Sequence, residues 1–418
     1  MPRGFLEEHS LIQKDFLVVF VLLVNSLAWY STTPIMINNV LSGLIVTDAQ
    51  NFIIWTAFSL AIIGSSILGS VLSNKINRLD FIYLWIILGA ATSSLPALLR
   101  SFTVIHVLII SILLGASFGL GMPSCLAYFA DCTLVENRGL ASGIILLITS
   151  LSAPLLAKSF EAFNLTVNSI VFAILRASGL IIFFLRPKKE FASKIKRNIS
   201  FVSVLNDRSF ILYFVAWLMF CLVDRFEWPI LVFFFDAHAP DFSYFIFMIG
   251  PIISSFFALI GGLLSDRVGR KPVVLYGFIT LGIAYAIIGL APTPSPSISW
   301  YFYVVMSSIS TGILWVIFFL ILWGDLSRSS TGEKYYAIGA APYFLSDIIQ
   351  LPLIPYVKPI PEISAFSLAS FFLFLAVFPL LYAPETLPEK KIELRRLKKY
   401  VEGARKVKEK HEGKSVKG

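Results

Sequence analysis

Apolar residues run through this chain in long blocks, each close to the length of about 17–25 residues that a helix needs to cross a bilayer, separated by short polar or charged turns. Twelve such blocks can be drawn, at 16–38, 51–72, 81–99, 102–128, 140–157 and 166–185, then at 209–235, 242–264, 273–291, 298–323, 335–357 and 363–382. A backbone in hydrocarbon must satisfy its own hydrogen bonds, so each block predicts an α-helix. The expected organisation is an N-terminal six-helix bundle over 1–185, a basic linker over 186–208, a C-terminal six-helix bundle over 209–383 and a basic tail over 384–418.

Composition agrees with this pattern. Hydrophobic residues make up 57% of the chain, charged residues 14%, and the mean hydropathy is +0.81, whereas a soluble domain carries about 25% charged residues. Lys and Arg fix the orientation, because loops rich in these cations stay on the cytoplasmic side. Of the 34 Lys and Arg, only Arg100, Lys158 and Lys358 fall in odd-numbered loops, and Arg176 and Arg225 fall inside spans. Both termini are therefore expected in the cytoplasm of a multi-pass protein of the plasma membrane. The net charge of +9 is a topology signal and implies no nucleic-acid partner. The first span is too long, and lacks the small-residue cleavage site, of a removable signal peptide. Cys125, Cys132 and Cys221 have neither metal-ligand nor disulfide spacing and read as packing residues.

One loop is more sharply patterned than the rest: Gly262-Leu263-Leu264-Ser265-Asp266-Arg267-Val268-Gly269-Arg270-Lys271, between the eighth and ninth spans. A glycine there permits a tight turn, and the cations keep the hairpin on the cytoplasmic side. Leu72-Ser73-Asn74-Lys75-Ile76-Asn77-Arg78 echoes it between the second and third spans, and Val24-Asn25-Ser26-Leu27-Ala28-Trp29 is echoed by Val223-Asp224-Arg225-Phe226-Glu227-Trp228. The chain reads as a duplication. The second loop resembles the Gly-x-Leu-Ala-Asp-Arg-x-Gly-Arg-Lys motif of the major facilitator superfamily of membrane transporters, with serine for alanine. The first departs from it at Asn74 and Asn77, where the motif has aspartate and glycine. Two further stretches are similar to family features: Asp131 with Arg138-Gly139 after the fourth span, and Pro384-Glu385-Thr386 after the twelfth, which resembles the signature of sugar-porter members.

The resemblance implies an all-α membrane protein, with twelve transmembrane helices in two pseudo-symmetric six-helix bundles. It also implies a gate. Asp266 would meet the start of the fifth span near Arg138 and Gly139, Arg270 would pair with Asp325, and Asn74 with Arg78 and Asp131 would form the weaker first-half latch. Arg267 and Gly269 belong to the same motif.

Chemistry in the membrane should lie with ionisable groups at depth, since a charge at the helix centre costs about 2.5–3.5 kcal/mol on insertion scales. These are Arg176, Asp224, Arg225, Glu227 and Asp347. Asp224 and Glu227, three apart, share a helix face, with Trp228 adjoining and Arg225 turned elsewhere. In the family the first, fourth, seventh and tenth spans line the path, which would put Asp224 and Glu227 on it, with Asp347 beside it and Asn25, Trp29 and Trp228 as further lining. One of these carboxylates would carry a proton or face a polar substrate. The bland alternative is a fixed bridge from Arg225 to Asp347 or Glu227. Arg176, in a peripheral span, reads as structural or as a lipid-facing snorkel. In the short outer loop, Asn164-Leu165-Thr166 fits a glycosylation sequon.

The sequence carries no catalytic constellation and no phosphate-binding loop, so an enzyme and an ATP-driven pump are both disfavoured, and neither cofactor nor metal is expected. The expected function is secondary active transport of a small organic solute, such as a sugar or organic acid, by a monomer that uses the proton as coupling ion and works by alternating access in the lipid bilayer. The sugar or organic-acid reading rests on Ser150-Leu151-Ser152-Ala153-Pro154, which lacks the glycines of the family's drug/proton antiporters. Efflux of lipophilic compounds is the alternative within transport, and a non-transporting sensor or scaffold the alternative outside it.

Overall fold

The computed structural model describes residues 3–99, 101–185, 199–238, 240–290, 298–327, 332–357 and 360–387. Most of the linker and of the basic tail lie outside the described residues. The first bundle is built from α1 (Arg3–Leu41), α2 (Asp48–Leu72), α3 (Arg78–Leu98), α4 (Val104–Cys132), α5 (Arg138–Ala162) and α6 (Leu165–Ala177), the last continued by a 3₁₀ segment, Ser178–Leu185. A short α7 (Phe201–Leu205) precedes the second bundle. That bundle comprises α8 (Arg208–His238), α9 (Pro240–Val268), α10 (Arg270–Leu290), α11 (Ile298–Trp315), α12 (Leu322–Leu326), α13 (Gly332–Gly339), α14 (Ala341–Val357), α15 (Glu362–Leu375) and α16 (Val377–Tyr382).

Among the described residues, 11 helical segments are long and apolar enough to cross a membrane. The expected span at 335–357 is the exception, because it is broken at Ala340 into α13 and α14. Gly339 ends α13 with its Cα against the indole of Trp323, and Pro342 sits in the first turn of α14, where its missing N–H leaves no helical bond unmade. The expected tenth span is likewise irregular, since a π-helical stretch, Val316–Ile321, joins α11 to α12.

Outward faces carry large apolar side chains such as Leu84, Ile105, Leu155 and Phe378, which is how a bilayer-solvated surface differs from a wet one. Within each bundle, small residues let helices approach closely. The same device joins the bundles where α5 crosses α9. A Cβ on Gly139 would stand 2.2 Å from the Gly262 carbonyl, and one on Gly262 would stand 2.1 Å from the Gly139 carbonyl. No side chain fits at either position while these helices touch. The contact between α2 and α14 is the other long seam between the bundles.

Candidate functional site: an ionic cluster and a mid-helix cavity

The helix ends that carry the patterned loops meet in two buried charge clusters. In the first, Asp266 at the end of α9 accepts hydrogen bonds from the backbone N–H groups of Gly139 (2.9 Å) and Leu140 (2.8 Å). These are first-turn donors of α5 with no partner inside their own helix. The N-cap residue of α5, Asn137, makes no side-chain cap, so Asp266 supplies the cap from the other bundle. Its negative charge also suits the positive end of the α5 dipole. Arg270, fully buried, donates to Asp266 at 2.6 Å, to Asp325 at 3.0 Å and to the Val135 carbonyl at 2.6 Å. Asp325 also accepts from Arg138. Two arginines and two aspartates thus neutralise one another across the seam.

The second cluster centres on Arg78, which donates to Asp131 at 2.7 Å and to Glu333 at 2.6 Å. Glu333 belongs to α13 of the opposite bundle, so this pair too spans the seam. Asn74 takes no part: its side chain donates back to the Ser70 carbonyl of α2 at 3.1 Å. The expected latch among Asn74, Arg78 and Asp131 is corrected on that point, because an amide lacking charge offers Arg78 less than the carboxylate of Glu333 does. Arg267 is exposed and forms no ion pair among the described residues. Gly269, with φ +121°, is the one residue between α9 and α10, in a left-handed region that only glycine enters without strain.

Glu385 stands out in the sequence only as part of a tail signature. Its carboxylate accepts from the backbone N–H groups of Arg270 (2.9 Å) and Lys271 (3.1 Å), and so caps α10. Glu333 and Glu385 both sit where helix starts expose unpaired N–H groups or buried arginines. Their acidic character is visible in the sequence; their partners, far away in the chain, are not.

Deeper in the molecule, α8, α9, α10, α11 and α14, with two residues of α5, enclose a cavity of about 440 Å³. On α8 the lining runs Asp224, Arg225, Trp228, Leu231, Val232, Phe235, a stripe centred on Trp228. Glu227, one residue earlier on a helix that turns about 100° per residue, falls outside it. It is buried, with Oε2 lacking a hydrogen-bond partner. The expected facing is therefore corrected: Arg225 lines the cavity with Asp224, and Glu227 does not. Arg225 Nε lies 2.8 Å from Asp347 Oδ1 on α14, and its guanidinium sits 4.5 Å from the centre of the Tyr343 ring.

The expected equivalence of Trp29 and Trp228 fails. Trp228 is half exposed towards the cavity, whereas Trp29 is fully enclosed, donating to Ser93 Oγ at 2.8 Å and stacking on Phe172. Asn25 is likewise absent from the cavity wall; its carbonyl oxygen accepts from Arg176 at 3.0 Å. Arg176 does not snorkel. It is fully buried between the rings of Trp85 and Trp29, 4.1 and 5.1 Å from their centres, and donates to Ser26 at 2.8 Å. Cation–π contact and these two hydrogen bonds partly replace its hydration. It ties α1, α3 and α6 together. Asn164 caps α6 by accepting from the Val167 N–H at 2.9 Å.

Two bundles of apolar helices, joined at one face by charge pairs and enclosing a charged cavity at depth, are the build of a membrane transporter. The model of the Major Facilitator Superfamily matches residues 18–338, and the chain belongs to that family. Solved structures with the same fold include the human organic anion transporter MFSD10 (TETRAN), at 16% identity and a TM-score of 0.66, covering 88% of this chain and 99% of that one. The proton:xylose symporter XylE, crystallised with 6-bromo-6-deoxy-D-glucose, aligns at 18% identity and a TM-score of 0.63 over 90% of this chain and 97% of its own. The E. coli fucose:proton symporter FucP aligns at 12% identity and a TM-score of 0.68 over 88% and 98%. Among curated proteins no sequence matches. The protein is thus a multi-pass membrane transporter and not an enzyme.

Proposed function

We propose that the chain is a secondary active transporter that moves a small organic solute by alternating access, with the proton as coupling ion. The observation that carries this reading is the 440 Å³ cavity, lined by Asp224 and Arg225, beneath a face where the ion pairs Arg78–Glu333 and Arg138–Asp325 tie both bundles together. The cavity is the solute chamber. The ion pairs hold the cytoplasmic side shut, and releasing them lets the bundles rock to expose the chamber inward. Asp224 and Asp347 are the proton-carrying candidates, because a carboxylate at membrane depth exchanges charge at lower cost than it can keep it. Two of the structurally similar proteins are named as proton symporters, which supports the coupling by analogy. The protein works as a monomer in the plasma membrane, with both termini cytoplasmic.

The sequence favours a sugar or organic acid as solute. The aromatic lining, with Trp228, Phe235, Tyr285, Tyr303, Trp315 and Tyr343, favours a more lipophilic one. Loss of transport in a sensor, which Asn74 and Asn77 would suggest, is opposed by Glu333 in the role of the missing acid and by Asn77 as the N-cap of α3, accepting from Leu79 N–H at 3.0 Å.

The test is uptake into proteoliposomes under an imposed proton gradient, over a panel of sugars, organic acids and cationic dyes, for the wild type and Asp224→Asn. Gradient-driven accumulation that Asp224→Asn abolishes is expected. Wild-type flux that follows only the solute's own gradient would remove the coupling, and absence of flux for every solute would remove the transport reading.

A further inference from the structure

We propose that the solute carries a positive charge, and that the cavity takes an organic cation, an amine or quaternary ammonium on an aromatic or aliphatic body, with Asp224 as its counter-ion. This rests on the reading of the cavity as the solute chamber.

Two charged side chains line the cavity, Asp224 and Arg225, and a third, Asp347, stands against Arg225. Arg225 is taken, with Asp347 2.8 Å from its Nε and the Tyr343 ring beneath its guanidinium. Among the described residues the Asp224 carboxylate takes part in no ion pair or hydrogen bond, though it lies half-buried on the cavity wall. A carboxylate at membrane depth that makes no direct bond among the described residues, beside an arginine already held by Asp347, has room for a visiting partner. The three groups sum to one negative charge, so an entering anion meets repulsion that a low-dielectric wall does not screen. An entering cation completes the balance.

The surroundings of Asp224 point the same way. Trp228 follows it by one turn on α8, and Phe235, Tyr285 and Tyr303 close in from the same stripe and from α10 and α11. The rings of Tyr285 and Tyr303 stand 5.4 Å apart, and those of Phe235 and Tyr303 6.4 Å. Aromatic faces around a carboxylate suit a cation, which the negative face of each ring attracts.

They suit a sugar poorly, because its hydroxyls need donors and acceptors in number. The serines on the wall are partly engaged: Ser255 donates to the Ile252 carbonyl at 2.7 Å and Ser307 to the Val304 carbonyl at 3.2 Å, both within their own helices. Those two hydroxyls can accept a hydrogen bond from a ligand but have no proton left to give, which leaves Ser150, Ser254, Ser308 and Thr311 as the wall's serine and threonine hydroxyl donors.

The experiment is equilibrium binding to the purified full-length protein, with tetraphenylphosphonium as cation, benzoate as anion and xylose as neutral solute. Saturable binding of tetraphenylphosphonium is expected. It should weaken by tenfold or more in Asp224→Asn, roughly 1.4 kcal/mol, and stay within a few-fold of wild type in Asp224→Glu, which keeps the charge and shows that the fold survives change at this position. Benzoate and xylose should not compete. Unchanged tetraphenylphosphonium binding in Asp224→Asn overturns the assignment, as does saturable benzoate binding in the wild type or failure of the cation to bind at millimolar concentration. The proton-gradient assay separates the two readings. Accumulation of xylose or benzoate without cation binding ends the cation assignment and leaves transport standing. Cation binding that needs Asp224, in a protein that moves no solute of the panel, supports the assignment and removes the transport reading alone.

Discussion

The loop from α2 to α3 and the loop from α9 to α10 place an arginine at matching points of the two bundles, Arg78 and Arg270, and satisfy it by different means. Arg270 draws one carboxylate from four residues back, Asp266 at 2.6 Å, and one from its own bundle, Asp325 at 3.0 Å. Arg78 finds an asparagine four residues back and takes its second carboxylate, Glu333, from the other bundle. Both arginines end with two acids, which occupy donors of the buried guanidinium and balance its charge. The consequence for motion differs. In the second-half loop the seam is crossed by Asp266 reaching backbone N–H groups of α5, by Arg270 reaching the Val135 carbonyl, and by Arg138 reaching Asp325. In the first-half loop it is crossed by the Arg78–Glu333 ion pair itself. What the two sites share is the count of carboxylates at the arginine, and the chain position that delivers them is free to move.

Removing Asp266 should therefore have the largest effect. Asp266→Ala strips the cap from α5 and one acid from a fully buried arginine, and breaking a buried pair from one side costs about 3–5 kcal/mol. The assembled face loses that much relative to the open one. Uptake in proteoliposomes at matched protein content should slow by an order of magnitude or more, while solute affinity measured by equilibrium binding stays near wild type. Unchanged uptake would end the gating role.

Glu333→Gln should act in the same direction and less, since Arg78 keeps Asp131. Loss of one charge-assisted hydrogen bond is worth about 1.5–3 kcal/mol. The readout is labelling of a single cysteine at Ala127, a buried residue packed beside Gly332 at the seam, with Cys125, Cys132 and Cys221 replaced. Faster labelling in Glu333→Gln than in the parent is expected; equal rates would mean that the Arg78–Glu333 pair does not hold the face.

How much of the molecule is legible in the sequence follows from what kind of information each feature needs. Helices whose apolar runs exceed the bilayer thickness announce themselves, and the second-half loop carries its turn glycine and both charges within a few residues. The glycine at 269 is required by φ +121°, a local property. Glu333 is hidden because its partner lies 255 positions away. The expected facing of α8 fails at Glu227 because two acids three apart suggest a common face, whereas the cavity stripe is set by the large ring of Trp228. Trp29 misleads in the opposite way. A six-residue echo fixes its place in the chain but not its surroundings, and with Arg176 buried beside it the indole becomes a packing group.

The smallest effect should come from Asn74→Asp, which writes the second-half charge pattern into the first half. Asn74 is exposed and bonded to its own helix, so a carboxylate there is worth under about 1 kcal/mol against a rival already in place. In the wild-type background the Ala127→Cys labelling rate should hardly change. In the Glu333→Gln background Arg78 is left with Asp131 alone, and the carboxylate introduced at position 74 should recover part of the loss, so the two substitutions should couple in a double-mutant cycle rather than add. Recovery would mean that the missing charge at position 74 is what gave Glu333 its place. Additivity would mean that the backbone excludes position 74 from Arg78. The first loop uses residues 73–77 for a turn that ends in the Asn77 cap, where the second uses Gly269 alone. The longer turn, not the lost acid, would then have moved the carboxylate across the seam.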